Sequence, residues 1–286
     1  VRCVRPFIGS NGAFGCGQCM PCRFNKRRVW AHRIMLEGMC HAECSFVTVT
    51  YAEDRRELVI ADVQAWLKRF RDVVYPKRIR YFVVGEYGDI SGRPHYHAAL
   101  FGWPSCVGGE RCRSGEGCEC HACSVVRKTW GFGHVMVGKL ELKSAQYIAG
   151  YVTKKMTQRT DIRLGGRQPE FARMSLKPGI GAIAMENVAL AMMRCPSRFM
   201  EDVPMSLRHG KGELPLGRYL RKRLRKLVGR DEGAPGAVIQ KCAAELSVVR
   251  AAAWNDERSV SSIYQEINGP YERRLIGRGA LRSKKL

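Results

Sequence analysis

Gly92-Arg93-Pro94-His95-Tyr96-His97-Ala98-Ala99-Leu100-Phe101 sets two histidines either side of a tyrosine at the head of a short apolar run. Side chains alternate between the two faces of an extended strand, so His95 and His97 point one way and Tyr96, Ala98 and Leu100 the other. The first pair is then close enough to share a metal ion, while the second set packs against helices. A pair of core histidines with no ligand would read the same way. With 7 His in 286 residues, one His-x-His arises by chance roughly 0.2 times, so the motif needs support from its surroundings.

The flanking sequence supplies it. Arg80-Tyr81-Phe82-Val83-Val84-Gly85-Glu86 is a strand, and Tyr87-Gly88-Asp89 with Ser91-Gly92 is turn chemistry, so the two strands form a hairpin. That hairpin brings Glu86 to the His95 and His97 end. Upstream, Val63, Trp66, Leu67, Phe70 and Val74 recur at helical spacing from Ile60 to Tyr75, and Pro76 stops the helix. Before it, Cys44-Ser45-Phe46-Val47-Thr48-Val49-Thr50-Tyr51 alternates like a half-buried strand. Downstream, Gly133-His134-Val135-Met136-Val137 is a further strand, and Leu142 to Met156 reads as a helix. Tyr147 and Tyr151 lie four apart on that helix and share a face, with Lys154 on the same side. Ile148 and Val152 give a separate apolar stripe, so the expectation is one buried face and one reactive face.

Two segments are rich in cysteine. Cys3 and Cys16-Gly17-Gln18-Cys19-Met20-Pro21-Cys22 offer four thiolates to one ion, and structural zinc is preferred to a turn that binds nothing. Residues 102–124 form an insertion with Cys106, Cys112, Cys118, Cys120, His121 and Cys123, either tied by a metal or mobile. Between these, Arg23 to Met39 reads as a basic helix with Trp30 and Ile34 on one side. Three segments result: 1–45, Cys-rich with the basic helix; 46–158, the core; and 159–286, basic and mostly helical, including Tyr219-Leu220-Arg221-Lys222-Arg223-Leu224-Arg225-Lys226-Leu227.

Composition narrows the partners. A formal net charge of +23 with 45% hydrophobic residues describes a folded chain with a strong positive field. That field favours a nucleic acid over a merely solvated basic surface. The sequence contains no run apolar enough to span a bilayer, and no signal peptide or lipidation motif is read in it, so no membrane partner is expected. The 13 cysteines then suit reduced thiols or zinc better than disulfides. There is no phosphate-binding loop, and Gly179-x-Gly181 lacks the strand a dinucleotide fingerprint needs, so no nucleotide cofactor is expected.

Chemically, two histidines and a carboxylate (His95, His97, Glu86) suit a metal that polarises a phosphate oxygen. A tyrosine hydroxyl is a nucleophile for a phosphodiester, and the resulting phosphotyrosine keeps the bond energy for resealing. Two tyrosines allow alternation, and Lys154 stabilises developing charge.

Taken together, Val47-Thr48-Val49-Thr50-Tyr51, the His95-Tyr96-His97 strand and Tyr147-x-x-x-Tyr151-x-x-Lys154 resemble, in order, the three motifs of rolling-circle replication initiators of the HUH endonuclease superfamily. With the Cys16 to Cys22 lead and Gly85-Glu86-Tyr87-Gly88, the sequence is similar to the Microviridae initiators of gokushovirus type. The resemblance implies an α+β fold, HUH/RRM-like, with about five antiparallel strands flanked by helices and a helical C-terminal extension. It implies Mg²⁺ or Mn²⁺ at the active site, nicking and rejoining of single-stranded origin DNA through a 5′-phosphotyrosine, and work beside a host replication helicase and polymerase in the bacterial cytoplasm. Under it, His95 and His97 are metal ligands and Tyr147 and Tyr151 nucleophiles; Glu86 as third ligand comes from the hairpin. The alternatives are a non-catalytic zinc-dependent nucleic-acid-binding protein, or a transposase or relaxase on the same fold.

Overall fold

The computed structural model describes residues 2–53, 55–88, 91–108, 118–153, 160–195, 199–210 and 212–279. In chain order these form β1 (Phe7–Gly9), β2 (Gly12–Phe14), α1 (Met20–Gly38), β3 (Cys44–Thr50), α2 (Ile60–Val74), β4 (Arg80–Tyr87), β5 (Pro94–Phe101) and α3 (His121–Trp130). Then come β6 (Val135–Lys139), α4 (Leu142–Tyr151), β7 (Phe171–Met174), α5 (Ala184–Arg194), β8 (Ser206–His209), β9 (Gly212–Pro215), α6 (Gly217–Leu227), α7 (Gly236–Asn255) and α8 (Val260–Gly277). The chain divides into two compact units, Trp30–Ala184 and Val1–Val29 with Met185–Lys285.

The unit Trp30–Ala184 is built on a five-stranded antiparallel sheet in the order β6-β3-β5-β4-β7. The expected hairpin is β4 with β5, and the histidine strand is central. Tyr96, Ala98 and Leu100 enter one core with Val63, Trp66, Leu67 and Phe70 of α2 and Val126 and Trp130 of α3. Ala99 and Phe101 enter a second core, on the other face, with Ile34 of α1 and Ala145, Ile148 and Tyr151 of α4. The α2 stripe forms because its large apolar residues recur every three or four positions, the period that keeps them on one side. The fold is therefore α+β, as the sequence implies.

Two local differences from expectation have physical reasons. The fifth strand, β7, was not visible in the sequence because Phe171-Ala172-Arg173-Met174 does not alternate. It pairs with the open edge of β4, where a Cβ on Gly85 would sit 2.7 Å from the Phe171 ring, so only a glycine admits that side chain. Helix α4 stops at Tyr151 rather than continuing to Met156. The Thr153 amide turns back to the Gly150 carbonyl at 3.1 Å, and its hydroxyl donates to the same oxygen at 2.6 Å, which closes the last turn. Residues 154–159 lie outside the described residues.

In the other unit, the last residues fold as helices α7 and α8. Buried Asn268 donates from Nδ2 to the Cys3 carbonyl (3.1 Å), and Glu272 accepts the Met20 amide (3.0 Å), so α8 fastens the cysteine-rich N-terminal segment. Buried Leu246, Ala253, Ile263, Tyr264 and Leu275 give these helices their apolar contacts. On α6, two of the arginines expected to face a partner serve the fold instead. Both Arg221 and Arg225 donate to Asp202.

Candidate active site and thiol clusters

Strand register gathers the candidate groups. Thr48 is opposite His97 across β3 and β5, and Glu86 is opposite His95 across β4 and β5. Opposite residues share a face, so Thr48, Glu86, His95 and His97 belong to one patch of the sheet. His97 and Glu86 are both buried, and His97 Nε2 donates to Glu86 Oε1 at 3.1 Å. Since a carboxylate only accepts, that nitrogen carries the proton, and Nδ1 takes the Thr48 hydroxyl proton at 2.9 Å. His95 is half-buried and donates from Nδ1 to the Arg93 carbonyl at 2.8 Å, which leaves Nε2 as its lone-pair nitrogen. The absence of a side chain at Gly88 makes room for it: a Cβ there would lie 3.0 Å from His95 Cε1. The two imidazoles stack nearly parallel, 6.4 Å between centres.

Helix α4 lays both tyrosines on this patch. The Tyr147 ring meets His97 edge-on at 5.0 Å, Tyr151 stacks on the same ring at 5.3 Å, and the two phenols are 5.1 Å apart. Phe46 completes the aromatic floor, 5.9 Å from His97 and 6.0 Å from Tyr147. The expected division into a reactive tyrosine face and a separate buried face needs correction here. Tyr151 is only 6% exposed and packs in the same core as Ile148, because the sheet offers its helix an aromatic surface to bury against. Burial first, then the Glu86 charge and the Tyr147 phenol, push the Tyr151 hydroxyl well above its ordinary range. Tyr151 also lines a cavity of about 400 Å³ with Gln168, Glu170 and Phe171. Lys154 lies outside the described residues. Thr48 was in the strand motif without an assigned role; its even spacing from Phe46 and Thr50, read with the hairpin, is the signal that places it beside the histidines.

The donor set suits a divalent cation. It offers two imidazoles, one with Nδ1 tied to a carbonyl as metal-binding histidines commonly are, and a carboxylate. Among the described residues, the groups of three or more whose ligand atoms all lie within 4.8 Å of one another are nonetheless both made of cysteines. His95, His97 and Glu86 are more widely spread.

The first of those groups is Cys3, Cys16, Cys19 and Cys22. Cys3 Sγ lies 3.7 Å from Cys19 Sγ, and the amides of Gln18 and Cys19 donate to Cys16 Sγ at 3.4 and 3.3 Å. Burial alone would raise the Cys16 thiol, but those amides and the neighbouring thiols bring it down to about 7. A sulfur so prepared, among three others, suggests a zinc site. The second group is Cys106, Cys118, Cys120 and Cys123; His121 is not part of it, and Cys112 lies outside the described residues.

Residues 44–156 match the Replication-associated protein ORF2 family. The chain is 29% identical to Replication-associated protein VP4 of Bdellovibrio phage phiMH2K over 52% of this chain and 50% of that protein. It is 28% identical to Replication-associated protein ORF4 of Chlamydia phage 1, over 76% and 54%. To Replication-associated protein ORF2 of Spiroplasma virus 4 it is 29% identical, over 60% and 56%. The chain spans about half the length of the curated relatives it matches. No solved structure matches it.

Proposed function

We propose that this chain, which belongs to the Replication-associated protein ORF2 family, nicks and rejoins single-stranded DNA at a phage replication origin through a tyrosine–DNA link. The observation that carries the reading is the meeting of Tyr147 and Tyr151 with His97 on one patch of sheet, at 5.0 and 5.3 Å between ring centres. A binding module has no use for two phenols stacked on a histidine beside a carboxylate.

His95, His97 and Glu86 would hold a divalent ion, for which two nitrogen donors favour Mn²⁺ over the oxygen-seeking Mg²⁺. When bound, that ion supplies charge stabilisation to a phosphate oxygen. The chain's own groups do the rest. A tyrosine oxygen attacks phosphorus, the P–O bond to the tyrosine forms and the P–O3′ bond breaks. The phenolic proton passes to the departing 3′-oxygen through solvent, and a later 3′-hydroxyl reverses the step with no nucleotide consumed. Thr48 orients His97 through Nδ1, and Lys154 keeps its sequence-derived role of opposing phosphate charge. Arg218 and Lys226 of α6, both exposed, are cations for the DNA backbone. A host helicase and polymerase would complete replication in the bacterial cytoplasm.

The test uses single-stranded oligonucleotides tiled across the encoding genome, labelled at the 3′ end, with Mn²⁺. A 5′-phosphotyrosine carries the 3′ fragment, so the label should shift with the protein on a denaturing gel. Tyr147→Phe with Tyr151→Phe should abolish the shift and leave binding intact. An adduct that survives in the double variant would refute the nucleophile assignment, and cutting that survives chelation would remove the metal.

A further inference from the structure

We propose that Cys106, Cys118, Cys120 and Cys123 hold a second zinc ion, and that it clasps the end of the histidine-bearing strand β5 to helix α3. The four ligand sulfurs all lie within 4.8 Å of one another. Cys106 Sγ is 3.6 Å from Cys118 Sγ and 3.7 Å from Cys120 Sγ. A disulfide would need about 2.05 Å. Four thiolates arranged tetrahedrally at about 2.3 Å from zinc lie about 3.8 Å apart along each edge. The observed spacing is that of a coordination shell, and it matches the 3.7 Å between Cys3 and Cys19 in the other group. Soft sulfur donors with no oxygen among them select zinc over Mg²⁺ or Mn²⁺.

The positions in the chain say what such an ion would join. Cys106 follows the last residue of β5, Phe101, across one short turn; Cys120 is the N-cap of α3 and Cys123 lies in its first turn. Between them Trp103 is buried, donates from its indole to the Ala122 carbonyl at 3.4 Å and meets Phe70 edge-on at 5.0 Å. His121 packs on Trp103 at 5.3 Å and so has a structural partner of its own. Further along α3, fully buried Trp130 packs 5.6 Å from Tyr96 and donates to the Thr50 carbonyl at 3.0 Å. Tyr96 separates the two histidines, and Thr50 is opposite His95. The zinc thus anchors one end of a helix whose other end supports the underside of the candidate active site. Its role is positional, through α3, and it does not depend on whether the chain cuts DNA.

Metal content of the full chain, purified with neither zinc nor chelator added and measured by plasma mass spectrometry, tests this. About two zinc ions per chain are expected, falling to about one in Cys118→Ser/Cys120→Ser and to about one in Cys16→Ser/Cys19→Ser. One zinc in the wild type that Cys118→Ser/Cys120→Ser leaves in place overturns the proposal, as does a disulfide among these four cysteines in the intact mass of alkylated protein. Should that variant not fold, wild-type chain refilled with Co²⁺ answers the same question: two equivalents with thiolate-to-cobalt absorption are expected, and one equivalent overturns it. The clasp itself is read by hydrogen exchange in the zinc-loaded and zinc-stripped chain. Amides of α3 should exchange at least about tenfold faster without metal; unchanged protection there overturns the positional role.

Discussion

Replacing Tyr96 with Phe takes one oxygen out of the middle of the histidine strand and leaves the ring where it is. Tyr96 is fully buried. Its hydroxyl accepts the Val59 amide at 2.8 Å and lies 3.0 Å from the Tyr51 hydroxyl, which itself donates to Asp62 Oδ2 at 2.8 Å. Because the Tyr51 proton goes to Asp62, Tyr96 must donate to Tyr51. The result is a one-way relay from the N-cap of α2 through two phenols to a carboxylate that Arg55 also holds, at 3.0 Å. Phenylalanine removes two hydrogen bonds, each worth about 1 kcal/mol net, and strands the Tyr51 oxygen in the core, where an unsatisfied group costs a further ~1–3 kcal/mol. Val59 is only half-buried, so water recovers part of its share. The loss should be about 2–3 kcal/mol, or roughly 5–10 °C in Tm for a unit of this size. The ring contacts with Tyr51 and Trp130 remain, so the slope of urea unfolding should not change. Urea denaturation followed by tryptophan fluorescence measures it, with Tyr75→Phe, at an 82% exposed residue, as the silent control. A loss under about 0.5 kcal/mol would mean that the relay does not exist as described.

Gly88→Ala puts a Cβ 3.0 Å from His95 Cε1 and 3.3 Å from Nδ1, so the imidazole must give way. Adduct yield with Mn²⁺ should fall about tenfold with a Tm shift under about 2 °C, and an unchanged yield would separate His95 from the chemistry. Thr48→Val removes the hydroxyl that faces His97 Nδ1; it should lower the rate of adduct formation by about 10–100-fold, the usual cost of losing a partner behind a ligand histidine. For Asp202, burial would raise the carboxyl, but Arg225, the Val203 amide and Arg221 outweigh it and hold it at about 2, against 3.8 unperturbed. A depressed carboxyl contributes stability above its unfolded value and loses it on acidification. About 2 kcal/mol should therefore vanish between about pH 4 and pH 2, and Asp202→Asn should flatten that part of the stability profile.

The histidine strand was legible because two requirements coincide in it. Its even residues had to pack and its odd residues had to be polar near one end, so a period of two could be read directly from Pro94 to Leu100. The α2 face was legible for the analogous reason at the helical period. What failed to show was whatever depends on a neighbour distant in the sequence. Strand β7 exists because Gly85 leaves space for Phe171. The spacing of Tyr147 and Tyr151 put them on one side of α4, but that this side is the buried one depends on Phe46 and His97 from two different strands. The first thiol group has regular gaps and reads locally. The second spans Cys106 to Cys123, and only the approach of the end of β5 to the start of α3 selects its four members from the cysteines in that stretch. Helices α7 and α8 gave little signal because they bury few large side chains.

The two faces of the sheet explain why a tyrosine separates the histidines. Side chains on the α1 and α4 face must leave room for a phosphate and two phenols, so that face cannot be locked by dense packing alone. The opposite face can, and Tyr96 fixes the strand there with its ring against Trp130 and its hydroxyl in the relay. Rigidity is thus supplied from behind the histidines. The two classes of substitution should therefore separate. Tyr96→Phe should lower stability by the amount above while adduct yield in the folded fraction, measured well below its Tm, falls by less than about threefold. Thr48→Val, on the other face, should do the reverse. If Tyr96→Phe instead cuts the adduct as deeply as Thr48→Val at a temperature where both are folded, the relay positions the histidines directly, and the division of labour between the faces is wrong.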